Sequence, residues 1–288
     1  MIELVTAASN TTLKRLRSLH EKKYRQREGL FLAEGLRICT EALDSGWVPE
    51  ILLFAEGRSD QPLIRRLLHA TLDGSGGKPG RVIETTPALL AKITGKANPQ
   101  LVVAAYAPRT RSLERLQPGA RMLVAEQLRD PGNLGTLLRA CDATAASALI
   151  LLDACADPTS VEAVRASMGA CFTVPCVMAS SAAFVQWKQT RGIRLLGAAL
   201  DPRAGDYRAA DYTAPVLLMV GNEAHGLPAA LRDACDDLVI MPMRGRADSL
   251  NVAMAGTLLL YEALHAQERQ AATLSQPGPN PPATAQSG

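Results

Sequence analysis

Short apolar runs bounded by breakers govern what this chain can fold into. Pro215 to Gly221 (PVLLMVG) and Asp237 to Met241 (DLVIM) have the length of strands and are too short for ordinary helices. Continuous rather than alternating hydrophobicity suits strands buried on both faces of a parallel sheet. In α/β proteins the loops at the carboxyl ends of such strands bind ligands. Here those loops are polar. Asn222-Glu223-Ala224-His225-Gly226-Leu227 follows the first run, and Ser249-Leu250-Asn251 lies beyond the second. A third polar loop, Glu126 to Thr136, ends a candidate strand at Met122 to Glu126 and leads into a helix carrying Arg139. Asparagine, glutamate and serine are costly near a core without partners. Three such loops at three strand ends imply a site.

The three segments resemble motifs 1, 2 and 3 of the SpoU (TrmH-like) branch of the SPOUT RNA 2′-O-ribose methyltransferases. Asn133, Gly135 and Arg139 match motif 1; Gly221-Asn222-Glu223 with Gly226-Leu227 match motif 2; Pro242, Gly245, Ser249, Leu250 and Asn251 match motif 3. The first hundred residues are similar to the family's L30e-like substrate-binding domain through Phe31-Leu32-Ala33-Glu34-Gly35 and the helix after it. Two positions depart from the pattern. Met241-Pro242-Met243 replaces a common Ile-Pro-Met, which keeps the wall apolar, and Ala253 stands where serine is common.

The resemblance implies S-adenosylmethionine as cofactor, RNA as partner (ribosomal rather than transfer RNA), and a homodimer formed through the C-terminal domain. It also implies a deep trefoil knot, a rare topology. Leu200, Gly221, Met241 and Leu250 would line the cofactor pocket, and Arg139, Asn133, Glu223, Ser249 and Asn251 would form the catalytic set. The family assigns the arginine to activation of the ribose 2′-hydroxyl. A guanidinium with a pKa above about 12 is a poor proton acceptor, so proton removal and alkoxide stabilisation both stay open. Arg165 falls in a segment near the family's RNA-facing edge. Local rules alone give blander readings: Asn133 and Asn251 as helix starts, Glu223 as a helix-dipole complement.

The expected fold class is α/β: a C-terminal parallel-sheet domain, knotted by resemblance, preceded by a small αβα sandwich. Expected boundaries are 1–107 for the RNA-binding unit, 108–119 for a linker, 120–267 for the methyltransferase domain and 268–288 for a disordered, proline-rich tail. In the first unit one helix is expected from Asn10–Thr12 through about Glu28, its stripe Leu13, Leu16 and Leu19. In the second, Cys171 to Val177 is read as a strand.

Charge distribution says more than the net +3. Residues 11–28 hold seven Lys/Arg against two acids, and Lys14, Arg15, Lys22, Lys23 and Arg25 are the candidate phosphate contacts. Aromatic residues make up 4% of the chain, leaving few stacking platforms for single-stranded RNA. No apolar run reaches the length of about 20 residues needed to span a membrane. Six cysteines without a CxxC pair suit reduced thiols in the cytoplasm, and four scattered histidines argue against a metal site. A nucleotide-binding Rossmann enzyme is disfavoured, since neither GxGxxG nor GxxxxGK[ST] is present. The remaining alternatives are a non-catalytic RNA binder of the same fold and a transfer RNA methyltransferase.

Overall fold

The structure, a computed structural model, describes residues 1–274 except Ser75, Gly77, Ala97, Pro99 and Thr110. The N-terminal unit contains β1 (Ile2–Val5), α1 (Thr11–Ser18), α2 (Lys22–Glu28), β2 (Phe31–Glu34), α3 (Leu36–Asp44), β3 (Ile51–Ala55), α4 (Pro62–Asp73), β4 (Arg81–Thr85), α5 (Pro87–Thr94) and β5 (Val102–Tyr106). Its five strands are ordered β1-β4-β3-β5-β2, with the first three parallel and β5 antiparallel to both its neighbours. Helices α1 and α5 cover one face, α3 and α4 the other, which is the expected sandwich.

The expected single helix from Asn10 to Glu28 is two. Asn10 caps α1, its Oδ1 accepting from Thr12 N (2.8 Å) and Leu13 N (3.3 Å). The chain then breaks because Arg25 Nη1 donates to the carbonyls of Leu19 (2.9 Å) and His20 (2.8 Å), which a continuous helix would have used internally.

The C-terminal unit contains β6 (Arg121–Glu126), α6 (Pro131–Ala143), β7 (Leu149–Leu152), α7 (Val161–Ser167), α8 (Ala170–Thr173), β8 (Cys176–Ala179), α9 (Ser181–Arg191), β9 (Arg194–Ala198), β10 (Gly205–Asp206), β11 (Val216–Val220), α10 (Ala229–Ala234), β12 (Asp237–Ile240) and α11 (Val252–Leu274). All seven strands run parallel in the order β10-β12-β9-β11-β6-β7-β8. Their carboxyl ends therefore share one edge. The strand expected over Cys171 to Val177 is instead a short helix followed by β8. Met168 (φ 53°) and Gly169 (φ 104°) turn the backbone left-handed there, and α8 starts immediately after them.

The segment 108–119 is less a free linker than expected. It holds a short 3-10 turn, Leu113–Arg115, and buries Leu113 and Leu116 against β6, β8 and α9. The final helix continues past Gln267 to Leu274, so residues 268–274 are helical; the rest of the expected tail, 275–288, lies outside the described residues.

The two units share a core. Val161, Val164 and Phe172 from the C-terminal unit are buried among N-terminal side chains. Phe172 lies 5.2 Å from Trp47 and 5.0 Å from Tyr106 between ring centroids, and its carbonyl accepts from Trp47 Nε1 at 2.8 Å. Arg25 crosses the same seam to Asp157, with Nη2–Oδ2 at 2.6 Å.

Candidate active site

The three polar loops meet at the strand ends. Asn251 Nδ2 donates to Asn133 Oδ1 (3.1 Å), and Asn133 Nδ2 donates to Glu223 Oε1 (3.0 Å). This chain joins positions 118 and 90 residues apart in sequence. Asn133 is free to do so because Asp130, not Asn133, caps α6: Asn133 N donates to Asp130 Oδ1 at 2.6 Å. Asn251 does cap α11, accepting from Ala253 N at 2.8 Å, and its amide nitrogen makes the link to Asn133. Glu223 does not cap α10, which starts at Ala229 after Pro228 and has no side-chain cap.

Beneath these residues sits a carboxylate that the sequence did not single out. Glu126, at the end of β6, is 2% exposed. Burial raises its pKa, partly offset by the backbone N–H of Asn222. Asn222 is tied down further, its Nδ2 donating to Gln127 O (3.0 Å) and its Oδ1 accepting from Ala224 N (2.9 Å). Gln127 takes a positive φ of 45°, a costly conformation for a side-chain-bearing residue. The loop after β11 is closed tightly. A Cβ at Gly221 would lie 2.4 Å from the Gly226 carbonyl carbon, so only glycine fits.

An open cleft of ≈ 550 Å³ runs along these loops. Leu200, Gly221, Met241 and Leu250 all line it, together with Glu223, Ser249 and Asn251. Leu200 is 70% exposed, a large apolar side chain at the mouth with nothing covering it. Apolar walls with a few convergent polar groups, in a volume of this order, suit a nucleoside-sized ligand.

Arg139 does not line that cleft. It lies six residues beyond Asn133 on α6, in a neighbouring groove of ≈ 550 Å³ shared with Thr136, Thr257 and Tyr261. Arg37 and Glu41 of the N-terminal unit line the same groove, and neither was identified from sequence. The Arg139 side chain is exposed and makes no hydrogen bond or ion pair among the described residues. Beside it, α11 exposes Met254, Leu258 and Tyr261 at helical spacing, an apolar stripe open to solvent.

The basic arm divides into free and committed cations. Lys14 and Lys22 are exposed and unpaired among the described residues, and so is Arg17, which was not among the candidates. Arg15 pairs with Glu28 (2.7 Å) and Lys23 with Glu21 (2.9 Å). Arg25, expected on phosphate, is 6% exposed and occupied by Asp157 and two carbonyls, because the seam needs its charge. Arg165, also expected on RNA, donates instead to the buried Glu34 across the seam at 2.8 Å, where Lys96 approaches the same oxygen at 3.1 Å. Among the described residues no His/Cys/Asp/Glu group could hold a metal ion, the cysteines are free thiols, and no helix is long and apolar enough to cross a membrane.

Comparison with known proteins gives the same two-part division. Residues 120–261 match the SpoU rRNA Methylase family, and residues 10–104 match the MRM3-like substrate binding domain. The chain is 31% identical over 259 residues to the 23S rRNA (guanosine(2553)-2'-O)-methyltransferase RlmP of Bacillus subtilis, covering 89% of this chain and 97% of that protein. It is 33% identical over 255 residues to the 23S rRNA (uridine(2479)-2'-O)-methyltransferase of Streptomyces viridochromogenes, covering 85% and 86%. Among solved structures, an AdoMet-bound rRNA methyltransferase from Sinorhizobium meliloti superposes with a TM-score of 0.85 at 36% identity, over 92% of this chain and 98% of that one.

Proposed function

The chain belongs to the SpoU rRNA methylase family, and we propose that it transfers a methyl group from S-adenosylmethionine to a ribose 2′-hydroxyl of ribosomal RNA. The observation that carries this reading is the Asn251–Asn133–Glu223 chain, which joins one residue from each motif, with Glu223 and Asn251 lining a nucleoside-sized cleft and Asn133 bridging them. A non-catalytic RNA binder has no use for that convergence.

When bound, the cofactor supplies an electrophilic methyl carbon on a sulfonium. The residues present fit it: Leu200, Met241 and Leu250 offer apolar surface for the adenosine, and Gly221 keeps the loop close without a side chain. Glu223 and Asn133, held by their mutual hydrogen bond, orient the acceptor ribose, and positioning of this kind is worth about 7–11 kcal/mol in well-aligned cases. Asn251 fixes Asn133 and, through its cap, the start of α11. Ser249 is exposed at the same rim and completes the polar edge. Arg139 stabilises the developing alkoxide rather than taking its proton, which passes to bulk water.

Its place outside the cleft of its own protomer supports action in a homodimer, with the Met254–Leu258–Tyr261 stripe covered by a second copy. Family membership brings the knot with it. The order β12-β9-β11-β6, with α11 returning over β6, β11 and α6, supports that topology. The free thiols and an RNA substrate support a cytoplasmic location. The relatives' names give a guanosine in one and a uridine in the other, so family membership alone does not fix the base.

The test is transfer in vitro. Purified protein, S-adenosylmethionine and rRNA from a strain lacking this chain should yield one new 2′-O-methylated ribose, mapped by resistance to alkaline cleavage. Protein that binds the cofactor yet methylates no rRNA, free or in ribosomal subunits, would reject the reading.

A further inference from the structure

A second cavity, of ≈ 380 Å³, opens at the seam between α2, the residues Pro108, Arg109 and Arg111, and the edge strand β8. It shares Thr173 with the Arg139 groove and no residue with the cofactor cleft. Its interior is apolar, with Leu30, Phe31, Phe172 and Val174 in the walls. Its mouth is cationic. Lys22, Arg109 and Arg111 are exposed there, while the carboxylate in the lining, Asp157, is already matched by Arg25. The side chains of Lys22 and Arg111 have no partner among the described residues.

Arg109 is different. Its guanidinium lies 4.1 Å from the Trp47 ring centroid and donates to Gly46 O at 2.6 Å, so a flat cation is held in place at the entrance.

We infer that this cavity receives one unstacked nucleotide of the RNA substrate, its base against Arg109 and the apolar wall and its phosphate toward Lys22 and Arg111. Three observations converge on that occupant. An apolar interior with a cationic rim complements a ligand with an aromatic end and an anionic end. Single-stranded RNA is recognised by bases splayed onto aromatic or guanidinium planes. The chain has few aromatic residues, and a guanidinium backed by Trp47 supplies the missing platform. The inference rests on the RNA reading above and gives the N-terminal unit a specific task. It would hold a nucleotide flanking the target while the reacting ribose sits at the motif loops.

The experiment uses the full chain and three probes: a short single-stranded RNA, the same RNA with one internal abasic ribose, and a nucleoside monophosphate. The intact RNA should bind about tenfold more tightly than the abasic one, the effect of one stacked base. Arg109→Lys keeps the charge and removes the plane, so that ratio should fall toward one with little change in salt dependence. Lys22→Gln with Arg111→Gln should leave the ratio intact and lower the salt slope by about 0.7 for each phosphate no longer neutralised. Cofactor affinity, unchanged in both variants, shows that they are folded. An unchanged ratio in Arg109→Lys, or an unchanged slope in the double variant, overturns the inference. So does a monophosphate that binds as tightly as the RNA, which would make this a site for free nucleotides. Methyl transfer by the wild-type chain separates the two levels. No transfer to any rRNA removes the parent reading, whereas normal transfer with unaffected ratios removes this inference alone.

Discussion

The two sheets are built from similar material and differ in direction. The N-terminal sheet turns antiparallel at β5, so its strand ends point both ways and its polar groups serve the fold. Thr85 bonds Val5 O at 2.7 Å, and Glu34 anchors Lys96 and Arg165. The C-terminal sheet is parallel throughout, so the loops after β6, β9, β11 and β12 all leave at one edge. Asn133, Glu223 and Asn251, far apart in sequence, can touch only for that reason. Strand direction, more than composition, decides which unit gathers its polar loops at one edge.

Substitutions in the two units should break this contrast in different observables. The largest effect belongs to Arg139→Ala, where single-turnover methyl transfer should fall by about 10²- to 10⁴-fold with cofactor affinity unchanged. Retention of the wild-type rate would remove Arg139 from the mechanism.

Arg25→Gln should cost about 3 kcal/mol of stability in denaturant unfolding, since it leaves Asp157 partly buried without its partner. It carries a pH signature. Burial acts to raise the Asp157 pKa, but hydrogen bonds from Thr159 and Arg25 outweigh it and hold the carboxyl below its usual range. A carboxyl lowered in the folded state adds stability above its unfolded pKa and loses it as pH falls through the folded one. Without Arg25 the folded value rises, so acid-induced loosening should begin at higher pH. Unaltered acid sensitivity would count against the seam as a stabilising ion pair.

Asn133→Ala removes a hydrogen bond to a charged group and should slow transfer by about ten- to a hundredfold, with thermal stability little changed. A drop in stability instead would make Asn133 a structural residue. The smallest effect is expected from Lys14→Gln with Lys22→Gln. RNA affinity should weaken and the salt slope fall by about 0.7–0.9 for each phosphate left unneutralised, with the chemical step at saturating RNA preserved. No change in slope would remove Lys14 and Lys22 from the RNA contacts.

The loops of the site were legible because each ends an apolar run, a local signal. So were most strands and helices. The sequence misled where a side chain's partner, near or far, decided a local matter. The leucine stripe of Leu13, Leu16 and Leu19 continues through the end of α1, but Arg25 captures the carbonyls that would have extended the helix. Arg25 and Arg165 look like surface cations in sequence; their carboxylate partners are 132 and 131 residues away. Strand β1 escaped notice because it is short and exposes Ile2 and Leu4. Arg139 is exposed and lines a groove other than the cleft reached by the second and third loops, a placement that no linear pattern records.

Gly135 sits where α6 crosses α7. A Cβ there would lie 2.4 Å from the Ala166 side chain and 2.7 Å from the Ser167 nitrogen. Helix α7 is in turn seated in the N-terminal cores through Val161 and Val164. The shaft that carries Asn133 and Arg139 thus turns in a bearing without clearance, and the far mount of that bearing belongs to the other unit. A methyl group at position 135 would be felt at both ends: as a tilt of the guanidinium on one side and as strain in the aromatic cluster on the other.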